Sequence, residues 1–149
     1  SPISLTNSSL ANPATAKLVS QCIYNNLMKI QIAKSKLHGR GVFATKTIFP
    51  GEIIETCELI IFDKKDIEMI DQTIFYNYYF SWKKDCGAIA LGNGSLYNHS
   101  YSPNAKYVKN IGKKNINFLS LRKIAKGEEI TVNYNGRATS KEKVWFDKK

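Results

Sequence analysis

Two short polar segments hold the side chains best suited to chemistry: Tyr97-Asn98-His99-Ser100 and, later, Glu128-Glu129-Ile130-Thr131-Val132-Asn133-Tyr134. An amide, an imidazole and a phenol together offer donors, acceptors, a proton carrier near neutral pH and a directed hydroxyl. Upstream of both lies Gly39-Arg40-Gly41-Val42-Phe43. Its glycines permit positive φ or the close approach of backbone groups to a ligand. The run lacks the third glycine and the opening helix of a dinucleotide fingerprint. No metal set is visible, because His38 is the only other histidine and no cysteine pairs with it. Nor does a hydrolase elbow surround Ser95 or Ser100.

Each segment alone has an ordinary reading as a hairpin turn, a polar turn or a strand end. In this order they say more, with Ala90-Leu91-Gly92 and Gly94-Ser95-Leu96 before the Asn-His-Ser element and Pro103-Asn104-Ala105 after it. Together they resemble the SET-domain protein lysine methyltransferases over residues 29–136, and among these the small stand-alone proteins of viral and bacterial type. The resemblance implies S-adenosylmethionine as methyl donor, S-adenosylhomocysteine as product, no metal, and a protein lysine as acceptor, with a histone or other basic chromatin protein among the candidates.

By the same resemblance Gly39, Arg40 and Gly41 would contact the methionine part of the cofactor. Asn98 and His99 would hold its adenosine end through side-chain and backbone hydrogen bonds, and Tyr134 would be the catalytic hydroxyl, also touching cofactor. Tyr78 would line the lysine channel and Tyr107 would limit how many methyl groups fit. Core packing is the competing role for both tyrosines. The family's cysteine-rich zinc segment after the domain is missing. Trp145 over the cofactor and Phe146 at the channel are the aromatics available to close the site, against a simple clamp for the C-terminus.

The reaction so implied sets requirements. In-line displacement at a methyl carbon gains most from alignment and from exclusion of water, which aromatic walls with directed hydroxyls supply. A lysine with a solution pKa near 10.4 must lose a proton first, costing roughly 4–5 kcal/mol at neutral pH. No general base stands in the matched segments, so desolvation must depress that pKa, and activity should favour alkaline pH.

The elements expected to position these residues are mostly β. A mobile arm covers residues 1–13, with an amphipathic helix near 14–28. Strands are expected at 29–33, 42–48, 52–62, 89–91, 105–110, 115–122 and 130–134, punctuated by Phe49-Pro50-Gly51, a Gly-Lys-Lys turn and Asn135-Gly136. Residues 63–81 change period and read as helix or irregular insertion. The family fold adds a pseudoknot to several small curved sheets, threading the 128–134 segment through the loop that carries Asn98 and His99. Residues 1–28 are thus an arm and helix, 29–136 the domain, and 137–149 a closing segment.

At 149 residues and a net charge of +10 the chain reads as one globular domain with its own core. Its lysines are scattered rather than clustered with stacking aromatics, so nucleic-acid attraction would be weak and nonspecific. No run is apolar enough to span a bilayer. Three widely spaced cysteines, Cys22, Cys57 and Cys86, fit buried filler and a reducing, intracellular setting, without separating nucleus from cytoplasm or excluding a secreted effector. A homodimer stays open. Long-range repulsion would meet a basic peptide. Asp63, Asp66, Glu68 and Asp71 could offset it, or the substrate could be less basic than a histone tail. Two other functional classes remain: a noncatalytic basic β domain that binds nucleic acid, and a degenerate SET module that binds a protein partner. The intact glycine turn, Asn98-His99 pair and Tyr134 speak against the latter.

Overall fold

The computed structural model describes residues 12–148, and the arm expected at 1–13 lies almost wholly outside them. Two curled sheets dominate. Helix α1 (Pro13–Leu27) precedes β1 (Ile30–Lys34) and β2 (Arg40–Ala44), which pair antiparallel around the glycine turn. Strand β3 (Ile53–Asp63) runs into α2 (Lys64–Ile70), capped by the Asp63 carboxylate accepting from Lys65 N and Asp66 N. Then follow β4 (Phe80–Ser81), β5 (Cys86–Ala90), β6 (Asn98–His99), β7 (Ala105–Asn110), β8 (Asn115–Ser120) and β9 (Glu129–Val132). One sheet has the order β1-β2-β9-β6 and the other β4-β5-β3-β8-β7.

Apolar alternation explains the second sheet. Ile54 and Cys57 of β3 and Ile116 and Phe118 of β8 point into one core with Ala88, Ala90, Tyr97 and Ala105, and Leu59 and Ile61 pack against it. The register of β3 against β8 shifts between Ile53 and Glu55, and the Glu55 carboxylate faces Tyr97 and Asn93. Burial among these groups pushes the Cys57 thiol up to about 12, as befits inert filler. Helix α1 forms where helical spacing predicts it, yet Leu18 and Leu27 are exposed, so the described part of that helix is not an apolar face turned to the core.

The first sheet departs from expectation where it matters. The strand expected at 42–48 stops at Ala44, and Ile48 makes only an isolated bridge to Ile124. The strand expected at 130–134 spans Glu129–Val132, because Asn133 turns its side chain on the backbone, accepting from Asn135 N and donating to Ser140 O. Asn98 and His99 are a two-residue strand parallel to β9, with Asn98 opposite Thr131 and His99 opposite Val132. Strand β9 therefore lies between β2 and β6, the adjacency that a threaded late segment requires.

One carboxylate locks this arrangement. Glu129 accepts from the Ser35 hydroxyl at 2.8 Å and from Asn98 Nδ2 at 2.8 Å. The same Asn98 nitrogen also reaches the carbonyls of His38 and Arg40, each at 3.1 Å. Asn104, buried behind them, accepts from Thr131 N at 2.9 Å and donates to Glu129 O at 2.8 Å. Gly41 is needed for the same packing. A Cβ there would overlap the Glu129 carboxylate oxygen and stand 2.9 Å from its carbon and 3.0 Å from Asn98 Nδ2. Gly39 differs: its φ is +49°, and a Cβ would meet nothing within 4 Å.

These two glycines should separate in a denaturant melt. Gly41→Ala must displace the carboxylate and should cost about 1–3 kcal/mol. Gly39→Asn should cost less than about 1 kcal/mol, since asparagine tolerates left-handed backbone. Equal midpoints for Gly41→Ala and the parent protein would remove the carboxylate packing from this account.

Candidate active site

The late phenol is fixed from three directions. Tyr134 N donates to His99 Nδ1 at 3.1 Å, its hydroxyl donates to Tyr97 O at 2.7 Å, and its carbonyl accepts from the Tyr107 hydroxyl at 3.2 Å. Tyr97 is in turn immobile, stacked on Phe118 with centroids 4.1 Å apart and bonded through its hydroxyl to Glu55 Oε1 at 2.9 Å. The two polar segments therefore meet at Tyr134.

Burial pushes the Tyr134 phenol up to about 12, with Tyr78, Glu129 and Tyr107 adding to the shift. Burial does the same to Tyr107, also to about 12. Tyr97, buried beside Glu55, is raised well above the ordinary phenol range. All three stay neutral hydroxyls through the pH range of ordinary enzymes. Tyr134 is thus a donor to Tyr97 and an acceptor toward whatever faces it, not a base.

Beside Tyr134 opens a cleft of about 460 Å³, walled by Tyr76, Tyr78, Tyr97, Tyr107 and Trp145. Tyr78 stands at the exposed edge, with its carbonyl accepting from the Ser95 hydroxyl at 2.8 Å. Tyr107 is half-buried and packs edge-on against Phe80 at 5.1 Å. Of the residues expected along the channel, Tyr78 and Tyr107 lie on this wall and Phe146 does not. Gly39, Arg40, Gly41, Asn98 and His99 lie on the other side of Tyr134, outside the cleft lining.

On that other side the side-chain amide nitrogen of Asn98 is already held by three acceptors of the protein itself. That nitrogen thereby ties Asn98 to the glycine turn and to Glu129. The missing Cβ of Gly41 makes room for the Glu129 carboxylate. His99 is different. Its Nδ1 accepts from Tyr134 N, which leaves the proton on Nε2, and Nε2 is buried without a partner. Burial lowers the His99 pKa, opposed by the Asp147 charge, so the ring is neutral at pH 7. A buried, unpaired N–H donor is costly unless something accepts from it. It suits a ligand with a heteroatom acceptor, as the adenosine end of S-adenosylmethionine has, and to that extent the residues fit the cofactor.

The tail covers both sides. Val144 is buried, and Trp145–Asp147 forms a single 3₁₀ turn over Tyr134. Trp145 stacks on Tyr134 with centroids 5.6 Å apart, while its Nε1 donates to Asn77 Oδ1 at 3.1 Å. Phe146 lies 6.0 Å from the His99 ring and 6.3 Å from Tyr134. Trp145 walls the tyrosine cleft and Phe146 faces the histidine side. Sequence reasoning missed the anchor, Tyr101, whose hydroxyl donates to Asp147 Oδ2 at 2.6 Å and accepts from Val144 N at 3.2 Å. It also missed Glu129 and Ser35 as the lock, and Lys109 in the cleft wall. Among the described residues no group of His, Cys, Asp and Glu could hold a metal ion.

Comparison with known proteins adds three findings. The SET domain family model matches residues 39–135. The fission yeast (Schizosaccharomyces pombe) histone-lysine N-methyltransferase specific for H3 lysine-37 is 30% identical over 119 residues, covering 79% of this chain and 77% of that protein. The budding yeast (Saccharomyces cerevisiae) enzyme specific for H3 lysine-36 is 38% identical over 120 residues, covering 71% of this chain but only 16% of its own length. A Plasmodium falciparum crystal structure, provisionally named a histone methyltransferase, superposes with a TM-score of 0.59 at 30% identity. That match covers 80% of this chain and 97% of that one.

The histidine geometry predicts acid sensitivity. Because the folded-state pKa of His99 lies below its ordinary 6.5, the unfolded chain binds a proton first as pH falls. His99 should then withdraw stability as pH drops through 6.5, and a charged Nδ1 could no longer accept from Tyr134. Thermal melts between pH 8 and pH 5 (roughly one unit beyond the histidine range on each side) should show a steeper acid loss for the parent than for His99→Asn. Parallel curves would contradict it.

Proposed function

This chain belongs to the SET-domain family of protein lysine methyltransferases, and on that premise we propose that it transfers a methyl group from S-adenosylmethionine to the ε-amine of a lysine in a protein substrate. The observation that carries the proposal is Tyr134 itself. It is the residue at which the histidine segment, the late strand and the tyrosine-walled cleft meet.

S-Adenosylmethionine supplies, when bound, an electrophilic methyl group on a sulfonium, open to in-line attack by a neutral amine. His99, through its unpaired Nε2–H, and the backbone of the Gly39–Gly41 turn would hold it, with Phe146 over the histidine. The protein's own residues do the rest. Tyr134 has its proton directed to Tyr97 O, so its oxygen presents lone pairs to the cleft. It therefore accepts from an amine N–H and orients the nitrogen lone pair. Tyr78 and Tyr107 offer apolar ring faces to the lysine methylenes, and Trp145 limits water entry. Desolvation by these rings favours the uncharged amine, which is the form that reacts.

The protein substrate stays a class rather than a name. The relatives that name a substrate act on histone H3, which makes histones the first proteins to assay and an intracellular site of action part of this proposal.

The test is labelled-methyl transfer into histones and whole lysates, comparing the parent with Tyr134→Phe. Labelling should fall by about 10²-fold, while cofactor binding by calorimetry stays within about threefold. Unchanged labelling would remove Tyr134 from the reaction. No labelling by the parent, with no cofactor uptake, would end the methyltransferase reading. A second expectation follows from the phenol near 12 and the amine near 10.4: the limiting rate should climb from pH 7 to about pH 9.5 without a descending limb from Tyr134. A rate flat over that window, with chemistry limiting, would count against an unassisted deprotonation.

A further inference from the structure

The cleft wall carries one charge, and it has the sign of the substrate. Lys109, on β7, lines the cleft, and its ammonium donates to the carbonyl of Ser81 across the mouth on β4. No Asp or Glu belongs to the lining. Two carboxylates stand one hydrogen bond behind the wall, Asp71 accepting from the Tyr79 hydroxyl at 2.8 Å and Glu55 accepting from the Tyr97 hydroxyl at 2.9 Å. A second depression adjoins the first through Asn135 and adds Arg137 and Lys141 against Glu142 alone. The rim is therefore net positive on both flanks, in a protein whose total charge is +10. An aliphatic lysine stem fits the tyrosine rings, but a second cation beside it would meet Lys109 at short range. A carboxylate there would instead find an ammonium held in place by Ser81 and partly shielded from water.

We propose that Lys109 sets the substrate class of this cleft: a lysine flanked by acidic residues, rather than one embedded in a basic tract. The inference rests on the lysine-methyltransferase reading for its central lysine, while the flank preference itself is a property of the cleft. Partial burial lowers the Lys109 pKa from its ordinary value.

The experiment compares two fluorescein-labelled peptides, Gly-Ser-Glu-Lys-Glu-Ser-Gly and Gly-Ser-Arg-Lys-Arg-Ser-Gly, by anisotropy and by labelled-methyl transfer. At low ionic strength the acidic-flanked peptide should bind and react about tenfold better, and the gap should shrink by several-fold at about 0.5 M salt. Lys109→Gln should flatten the ratio, and Lys109→Glu should invert it. The ratio is read within each variant, so a loss of overall activity does not obscure it. Thermal melts verify that each variant is folded. Equal binding, binding of neither peptide, or a basic preference that Lys109→Glu leaves unchanged would overturn the proposal. Methyl transfer to both peptides without preference would sink this inference alone. Acid-selective binding with no transfer to any lysine would instead sink the enzymatic reading and leave the charge preference standing.

Discussion

The Glu129 carboxylate is the joint on which the molecule turns. It brings together three parts of the chain that share no local reason to meet: the 35–41 turn, the 98–99 strand and the 129–132 strand. Ionised carboxylates accepting several hydrogen bonds are among the stronger polar contacts in a protein interior. Here Asn98 extends the contact by sharing two hydrogens among Glu129 and two backbone carbonyls of the turn. Glycine at position 41 is the steric condition for it. Strand β6 has only two residues of parallel pairing with β9, too little to fix a strand by backbone alone, so side-chain contacts such as this lock must help hold it.

Once β6 and β9 are in register, the placement of Tyr134 follows. His99 sits opposite Val132, so its ring reaches the backbone of the residue two positions further on. Tyr97, at the start of the same segment, offers its carbonyl to the phenol. Each of these partners is itself braced, Tyr97 by Glu55 and Phe118, and His99 by Tyr101 at a centroid distance of 4.4 Å. A side chain tied at its nitrogen, its carbonyl and its hydroxyl loses little further freedom on binding substrate, which is where positional catalysis gains.

Much of this was legible from residue types, and the illegible part has a common cause. Long strands such as β3, β7 and β8 bury alternate side chains, so their patterning marks them. Strand β6 has two polar residues and no alternation, and its pairing depends on an acid 30 positions later in the chain. Asn98 was recognisable as special, but its bonds to the glycine turn and to Glu129 join segments too distant in sequence for any local pattern to announce. Tyr101 and Lys109 carry no motif, because an anchor and a rim charge need only reach the right place. Trp145 and Phe146 were expected to close the site, and their placement comes from a single 3₁₀ turn that no periodicity announces.

That turn also explains how the tail covers the site. Val144 supplies a buried apolar plug, Tyr101 receives the Asp147 carboxylate, and Trp145 reaches Asn77 on the opposite bank. Each such hydrogen bond is worth about 1 kcal/mol net, and the Trp145 and Phe146 rings remain partly exposed. Within the described residues the cover is therefore held by a few weak links. Its two rings straddle Tyr134, Trp145 against the cleft and Phe146 against His99, so one short segment touches both sides of the phenol because the two aromatics are neighbours in the same turn.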